Sequence, residues 1–136
     1  MLLLLLCSCK NKPAPTIDNF ADYYTIDARY FKERAILRVA VSLKSPVHAY
    51  APKELTGKPV RLEVKPQNGW EPLGDATYPS GKKESSKGQD SYVLDKDFSI
   101  EQRLKPGRGV GRAVLHLQVC TNTQCDRPRS HELSFE

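Results

Sequence analysis

The chain has 136 residues, enough for one ordinary domain. Ten prolines and eight glycines, many β-branched residues and few long helix-forming runs point to an all-β chain rich in turns. The net charge of +5 is scattered, with no basic stripe interleaved by aromatics, which describes a solvated surface and argues against a nucleic-acid partner.

Met1 is followed by five leucines and then Cys7-Ser8-Cys9-Lys10. A short apolar run that ends in small residues has the form of a secretory h-region, and it is too short to span a bilayer as a stable helix. Leu6-Cys7-Ser8-Cys9 resembles a bacterial lipobox, which implies cleavage before Cys9 and lipid on its thiol. The run is short and lacks a basic flank, which a start codon placed too far downstream would explain. An ordinary signal peptide and a spurious start are the alternatives. On this reading residues 1–9 are the signal segment, and residues 10–16, with Pro13 and Pro15, are a tether. Residues 17–136 are then one exported domain. Cys7 is discarded and Cys9 capped, so the mature chain keeps Cys120 and Cys125, which could form a disulfide in an oxidising compartment.

Within the domain, Ala28 to Lys32 reads as a first short strand. Ala35 to Lys44 is the clearest one: Leu37, Val39, Val41 and Leu43 share a face opposite Arg38 and Ser42. Ser45-Pro46 ends it. Val47 to Ala51 is a short segment with His48 and Tyr50 on one side, broken by Pro52. In Val60 to Val64, Val60, Leu62 and Val64 point inward. Pro66 to Gly69 is a turn, and Trp70 to Gly81 an irregular connection. Lys82, Lys83 and Lys87 mix with Glu84 and Asp90 in a Gly/Ser-rich loop. Ser91 to Leu94 and Phe98 to Ile100 are strands interrupted by Asp95-Lys96-Asp97. Lys105-Pro106-Gly107 turns into a long strand from Gly111 to Cys120, and His131 to Glu136 closes the chain. Seven or eight short strands at this spacing predict an antiparallel, immunoglobulin-like β-sandwich.

The most informative stretch runs from Leu115 to Pro128. Leu115, Leu117 and Val119 alternate with His116, Gln118 and Cys120, the period of a half-buried strand. Thr121, Asn122, Thr123 and Gln124 then supply turn chemistry before Cys125. A closed loop of roughly six residues contributes only about 2 kcal/mol by chain entropy, against nearly 5 for a very long one. A chain of this length can bury a core without staples. A cysteine pair that stabilises little in a polar loop is a candidate for thiol–disulfide exchange; a plain structural disulfide remains open. So does a zinc or copper site that adds His116 and His131 to Cys120 and Cys125, although the spacing fits no standard zinc motif. Arg127 and Arg129 follow closely and, if near in space, would favour a thiolate. No Ser-His-Asp order, phosphate-cradling glycine loop or carboxylate pair stands out.

Val119-Cys120-Thr121-Asn122-Thr123-Gln124-Cys125-Asp126-Arg127-Pro128 resembles the cysteine segment of the N-terminal, immunoglobulin-like periplasmic domain of the thiol:disulfide interchange protein DsbD family. Val47 to Lys53, Trp70-Glu71-Pro72 and Tyr78 to Lys82 are similar to other segments of that family. The resemblance covers roughly Thr16 to Glu136. It implies that Cys120 and Cys125 are a redox-active pair, with Cys125 forming the mixed disulfide and no cofactor needed. It also implies a cap loop over the pair. Gly74 to Gly81 matches that loop, with Tyr78 as the aromatic residue before a turn. Thr77 stands where the best-known members carry a capping phenylalanine. Tyr50 is expected to support the site from a neighbouring strand. The implied partners are periplasmic thioredoxin-fold proteins and a membrane thiol electron transporter, here supplied separately.

Overall fold

The computed structural model describes residues 16–53, 58–86 and 88–136. Cys7, Cys9, most of the tether and Lys87 lie outside the described residues. A single 3₁₀ turn, Phe20–Tyr23, precedes ten strands: β1 (Tyr24–Phe31), β2 (Ile36–Leu43), β3 (Ala49–Tyr50), β4 (Arg61–Lys65), β5 (Glu71–Pro72), β6 (Lys82–Ser86), β7 (Gln89–Leu94), β8 (Phe98–Lys105), β9 (Gly111–Leu117) and β10 (Arg129–Phe135).

The strands form three antiparallel sheets, ordered β1-β2-β8-β5, β10-β9-β4 and β3-β7-β6. The first two bury alternate residues in a common core. Leu37, Val39 and Val41 of β2 and Ile100 and Leu104 of β8 meet Leu62 and Val64 of β4 and Ala113, Leu115 and Leu117 of β9. This is the expected immunoglobulin-like sandwich, and the period-2 pattern of these strands is its direct cause. No helix among the described residues is long and apolar enough to cross a membrane.

Several elements differ from the sequence reading. β1 begins at Tyr24, four residues before the expected Ala28, because it pairs with β2 along its whole length, from Tyr24↔Leu43 to Phe31↔Ile36. Lys82–Ser86, read as loop, is a strand paired to β7. Its residues 82–85 are all exposed, so no apolar period marked it; cross-strand contacts such as Lys83 to Asp90 at 3.4 Å accompany the pairing. The long strand read as Gly111 to Cys120 stops at Leu117, and Cys120 pairs again with a different partner. Among the described residues there are thus ten strands where seven or eight were expected, β5 and β6 being the additions.

The sandwich has two dissimilar ends. At one, Asn68 and Gly69 both take positive φ in a tight turn, closed by the Trp70 amide on the Gln67 carbonyl. Trp70 packs edge-on against Tyr30 and Phe135 and donates its indole N–H to Gly109. β9 leaves from here and, at about 3.3 Å per residue, climbs roughly 20 Å to the opposite end. The cysteines are at that opposite end.

Candidate functional site

The segment after β9 is shaped by paired backbone bonds. The amides of His48 and Cys120 each donate to the other's carbonyl, at 2.9 and 3.0 Å. On its other side Cys120 lies opposite Cys125, flanked by bonds from Thr121 to Gln124 (2.7 Å) and from Asp126 to Val119 (2.9 Å). Directly opposed residues in antiparallel strands project to the same face. His48, Cys120 and Cys125 therefore form a row across three chain segments. Cys120 and Cys125 are joined by a disulfide, with Cα atoms 4.0 Å apart.

The two half-cystines differ in exposure. Cys120 is completely buried, whereas Cys125 is exposed. Thr121 is buried, and its hydroxyl accepts from the amides of Thr123 and Gln124, which closes the loop on itself. The Gln124 side chain reaches across 107 residues to clamp both backbone groups of Ile17: its Oε1 accepts from the Ile17 amide at 3.0 Å and its Nε2 donates to the Ile17 carbonyl at 2.9 Å.

His48, which the sequence reading did not single out as a site residue, stands beside this pair. Its Nε2 and the Tyr50 hydroxyl are 3.1 Å apart, and the two rings pack edge to face. Tyr50, expected as a support, therefore contacts His48. Alternation within Val47 to Ala51 put both residues on one side, but their long-range partner was not visible in the sequence. A cleft on this side is lined by His48, Glu84, Val93, Asp95 and Asn122, so the β6–β7 hairpin is a close neighbour of the cysteine loop.

The Gly74–Gly81 segment climbs the side of the sandwich. Buried Gln102 holds its start, donating from Nε2 to the carbonyl of Gly74 at 3.1 Å. Thr77 exchanges two backbone bonds with Glu101 of β8, at 2.7 and 3.1 Å. The Tyr78 hydroxyl accepts from the Leu62 amide of β4 at 2.9 Å. Gly81 passes so close to the end of β3 that a Cβ there would lie 2.8 Å from that of Ala51, the residue after that strand. Thr77 and Tyr78 are therefore bound to the two main sheets, and Trp70, where the expected connection begins, is at the far end.

Of the two arginines, Arg129 is held by the Asp126 carboxylate at 2.6 Å, while Arg127 is exposed. That hydrogen bond raises the Arg129 pKa above its usual value. The other histidines have their own partners. His116 bridges Ser130 (2.9 Å) and Glu63 (3.3 Å), and Glu63 is shifted down chiefly by that hydrogen bond to His116. His131 lies 3.0 Å from the Tyr24 hydroxyl. Because the strand breaks after Leu117, a spacing of four no longer fixes His116 and Cys120 on a common face. Among the described residues no three His, Cys, Asp or Glu side chains converge as metal ligands would.

Fold and site together define an immunoglobulin-like β-sandwich with a half-exposed disulfide at one end. No protein-family model and no curated protein matches the sequence. Solved structures do. The reduced DsbD N-terminal domain of Neisseria meningitidis aligns with a TM-score of 0.61 at 13% identity, over 83% of this chain and 84% of that one. The complex between the DsbD and PilB N-terminal domains of Neisseria meningitidis aligns at 0.62 and 12%, over 82% and 80%. The N-terminal periplasmic domain of ScsB from Proteus mirabilis aligns at 0.57 and 19%, over 89% of this chain and 48% of that one. The chain thus has a DsbD N-terminal-like fold, in agreement with the resemblance read from its cysteine segment.

Proposed function

We propose that this is a periplasmic thiol–disulfide exchange domain working through Cys120 and Cys125. It takes reducing equivalents from a membrane thiol electron transporter and passes them to thioredoxin-fold proteins. The observation that carries this reading is the unequal burial of one disulfide: Cys125 is open to a partner sulfur while Cys120 is shut away. Such a bond can be entered at one sulfur only, which suits a relay in which Cys125 forms the mixed disulfide and Cys120 resolves it. The similar DsbD domain solved in complex with a PilB domain supports the idea that a domain of this fold docks a second protein domain. An N-terminal lipid on Cys9 would hold the domain at the membrane.

The test is trapping. Cys120→Ser leaves Cys125 without its resolving thiol and is expected to accumulate a mixed disulfide with an oxidised thioredoxin-fold protein, visible on non-reducing electrophoresis. Cys125→Ser is expected to trap little. If neither folded variant forms an adduct, the disulfide is structural.

A further inference from the structure

We propose that His48 handles the proton of the Cys120 thiol and that Tyr50 positions its imidazole; the inference rests on the exchange function proposed above. The Cys120 sulfur belongs to a residue with no exposure to solvent. When the disulfide opens at Cys125, the electron pair leaves on that buried sulfur. A thiolate formed in a desolvated position is disfavoured unless a cation or a proton donor stands beside it. The residue that the backbone ladder sets directly across from Cys120 is His48, joined by both hydrogen bonds of a narrow antiparallel pair. In such a pair the Cα atoms are about 5.5 Å apart and the side chains share a face. Histidine is the side chain whose unperturbed titration falls in the working pH range of most exported proteins.

The steps balance. In reduction of the domain, a donor thiolate attacks the Cys125 sulfur, the Cys120–Cys125 bond breaks, and the leaving Cys120 sulfur takes a proton from the His48 imidazolium. The donor's second thiol then resolves the mixed disulfide, so two electrons have moved and the donor is oxidised. In the outward direction the Cys125 thiolate attacks a partner disulfide. Cys120 then gives its proton to neutral His48 and attacks the Cys125 sulfur, releasing the partner as a thiol.

Titratable and charged groups lie around His48. Tyr50, two residues further along the chain, contacts it with the hydroxyl 3.1 Å from Nε2. Glu84 of β6 and Asp95 after β7 line the same cleft, as does uncharged Asn122 of the cysteine loop. The imidazolium is the form needed to protonate a leaving sulfur.

The experiment uses the full chain with Cys7→Ser and Cys9→Ser. Reduction of the disulfide by dithiothreitol is followed between pH 5 and pH 8, and each rate is divided by the dithiothreitol thiolate concentration. The normalised rate is expected to rise about tenfold or more on the acid side of the histidine titration and to be flat in His48→Gln. Tyr50→Phe is expected to move the midpoint of that rise. In Cys125→Ser, the Cys120 thiolate absorbance is expected to appear at higher pH once His48→Gln is added. An unchanged rate profile and an unchanged absorbance midpoint in folded His48→Gln would overturn the proposal. Should that variant not fold, an unchanged midpoint in Tyr50→Phe overturns it. These readouts need no protein partner. A histidine-dependent profile without any thioredoxin-fold adduct would keep the His48 assignment and remove the relay; adducts with a flat wild-type profile would do the reverse.

Discussion

The Tyr78 hydroxyl accepts the backbone proton of Leu62 at 2.9 Å, on the side of β4 that has no strand beside it. Leu62 is buried, so its amide depends on this bond. Tyr78→Phe keeps the ring and leaves the donor without its acceptor. The expected cost is about 1–3 kcal/mol, read from urea denaturation at constant slope. A loss within a few tenths of a kcal/mol would mean that water replaces the hydroxyl.

The cysteines are expected to be screened by the His48–Tyr50 pair more than by Thr77. Thr77 is fixed to Glu101 through its backbone, so Thr77→Ala is expected to change the alkylation rate of reduced Cys120 by less than about twofold, because a single methyl and hydroxyl cover little area. Tyr50→Ala removes the ring packed on His48 and is expected to speed alkylation several-fold. Equal rates in the two variants would place the cover elsewhere. Deleting Ala76 to Ser80 is expected to destabilise the domain, since it removes the Thr77 pairing and the Tyr78 bond together.

Stability is expected to fall as the solution becomes acidic, with His131 as one contributor. Burial, followed by the nearby charge of Arg129, holds the His131 pKa below its ordinary 6.5. The unfolded chain therefore binds the proton more readily than the native one. The native state has its full stability from this group above pH 6.5, and loses it as pH drops through the native pKa. Thermal melts between pH 8 and pH 5 are expected to show a decline that is shallower in His131→Gln. That variant also breaks the contact with Tyr24, so its melting point at pH 8 starts lower. Parallel curves for the two proteins would remove His131 from the account.

Arg127 and Arg129 are expected to act unequally on the cysteines. Asp126 already neutralises Arg129, while Arg127 is exposed and screened by solvent. Arg127→Gln is expected to slow alkylation of Cys125 at pH 7 by less than about twofold. Arg129→Gln leaves the Asp126 carboxylate uncompensated next to Cys125 and is expected to slow it about threefold or more, an effect that salt reduces. The larger loss in Arg127→Gln would reverse the assignment.

Cys9 is expected to carry lipid. Mass spectrometry of protein extracted from membranes should find an acylated N-terminus at Cys9, and an unmodified Cys9 thiol in the mature protein would end that expectation.

The core was legible because its cause is local. Leu37, Val39 and Val41, or Leu115 and Leu117, announce a buried face by alternation alone, and all are buried. Tyr24 and Ile26 have the same alternation but sit among polar neighbours, and the pairing that extends β1 over them depends on β2. β6 carries no apolar face at all. The cysteine pair was legible as a pair, and its resemblance to a known family pointed to the fold. His48 was not, because it lies 72 positions from Cys120, and only the folded ladder brings them together. The pairing of Arg129 with Asp126 could be suspected from their spacing.

The Gln124 clamp on Ile17 acquires a mechanical meaning if Cys9 is the lipid attachment point. Ile17 is eight positions beyond Cys9, and eight residues of fully extended chain reach no more than about 28 Å. The leash would then be fastened to the domain next to Cys125, not at the remote Trp70 end. However the domain swings, its exposed sulfur would patrol a shallow layer above the lipid headgroups, where the proposed membrane thiol donor would present its own cysteines.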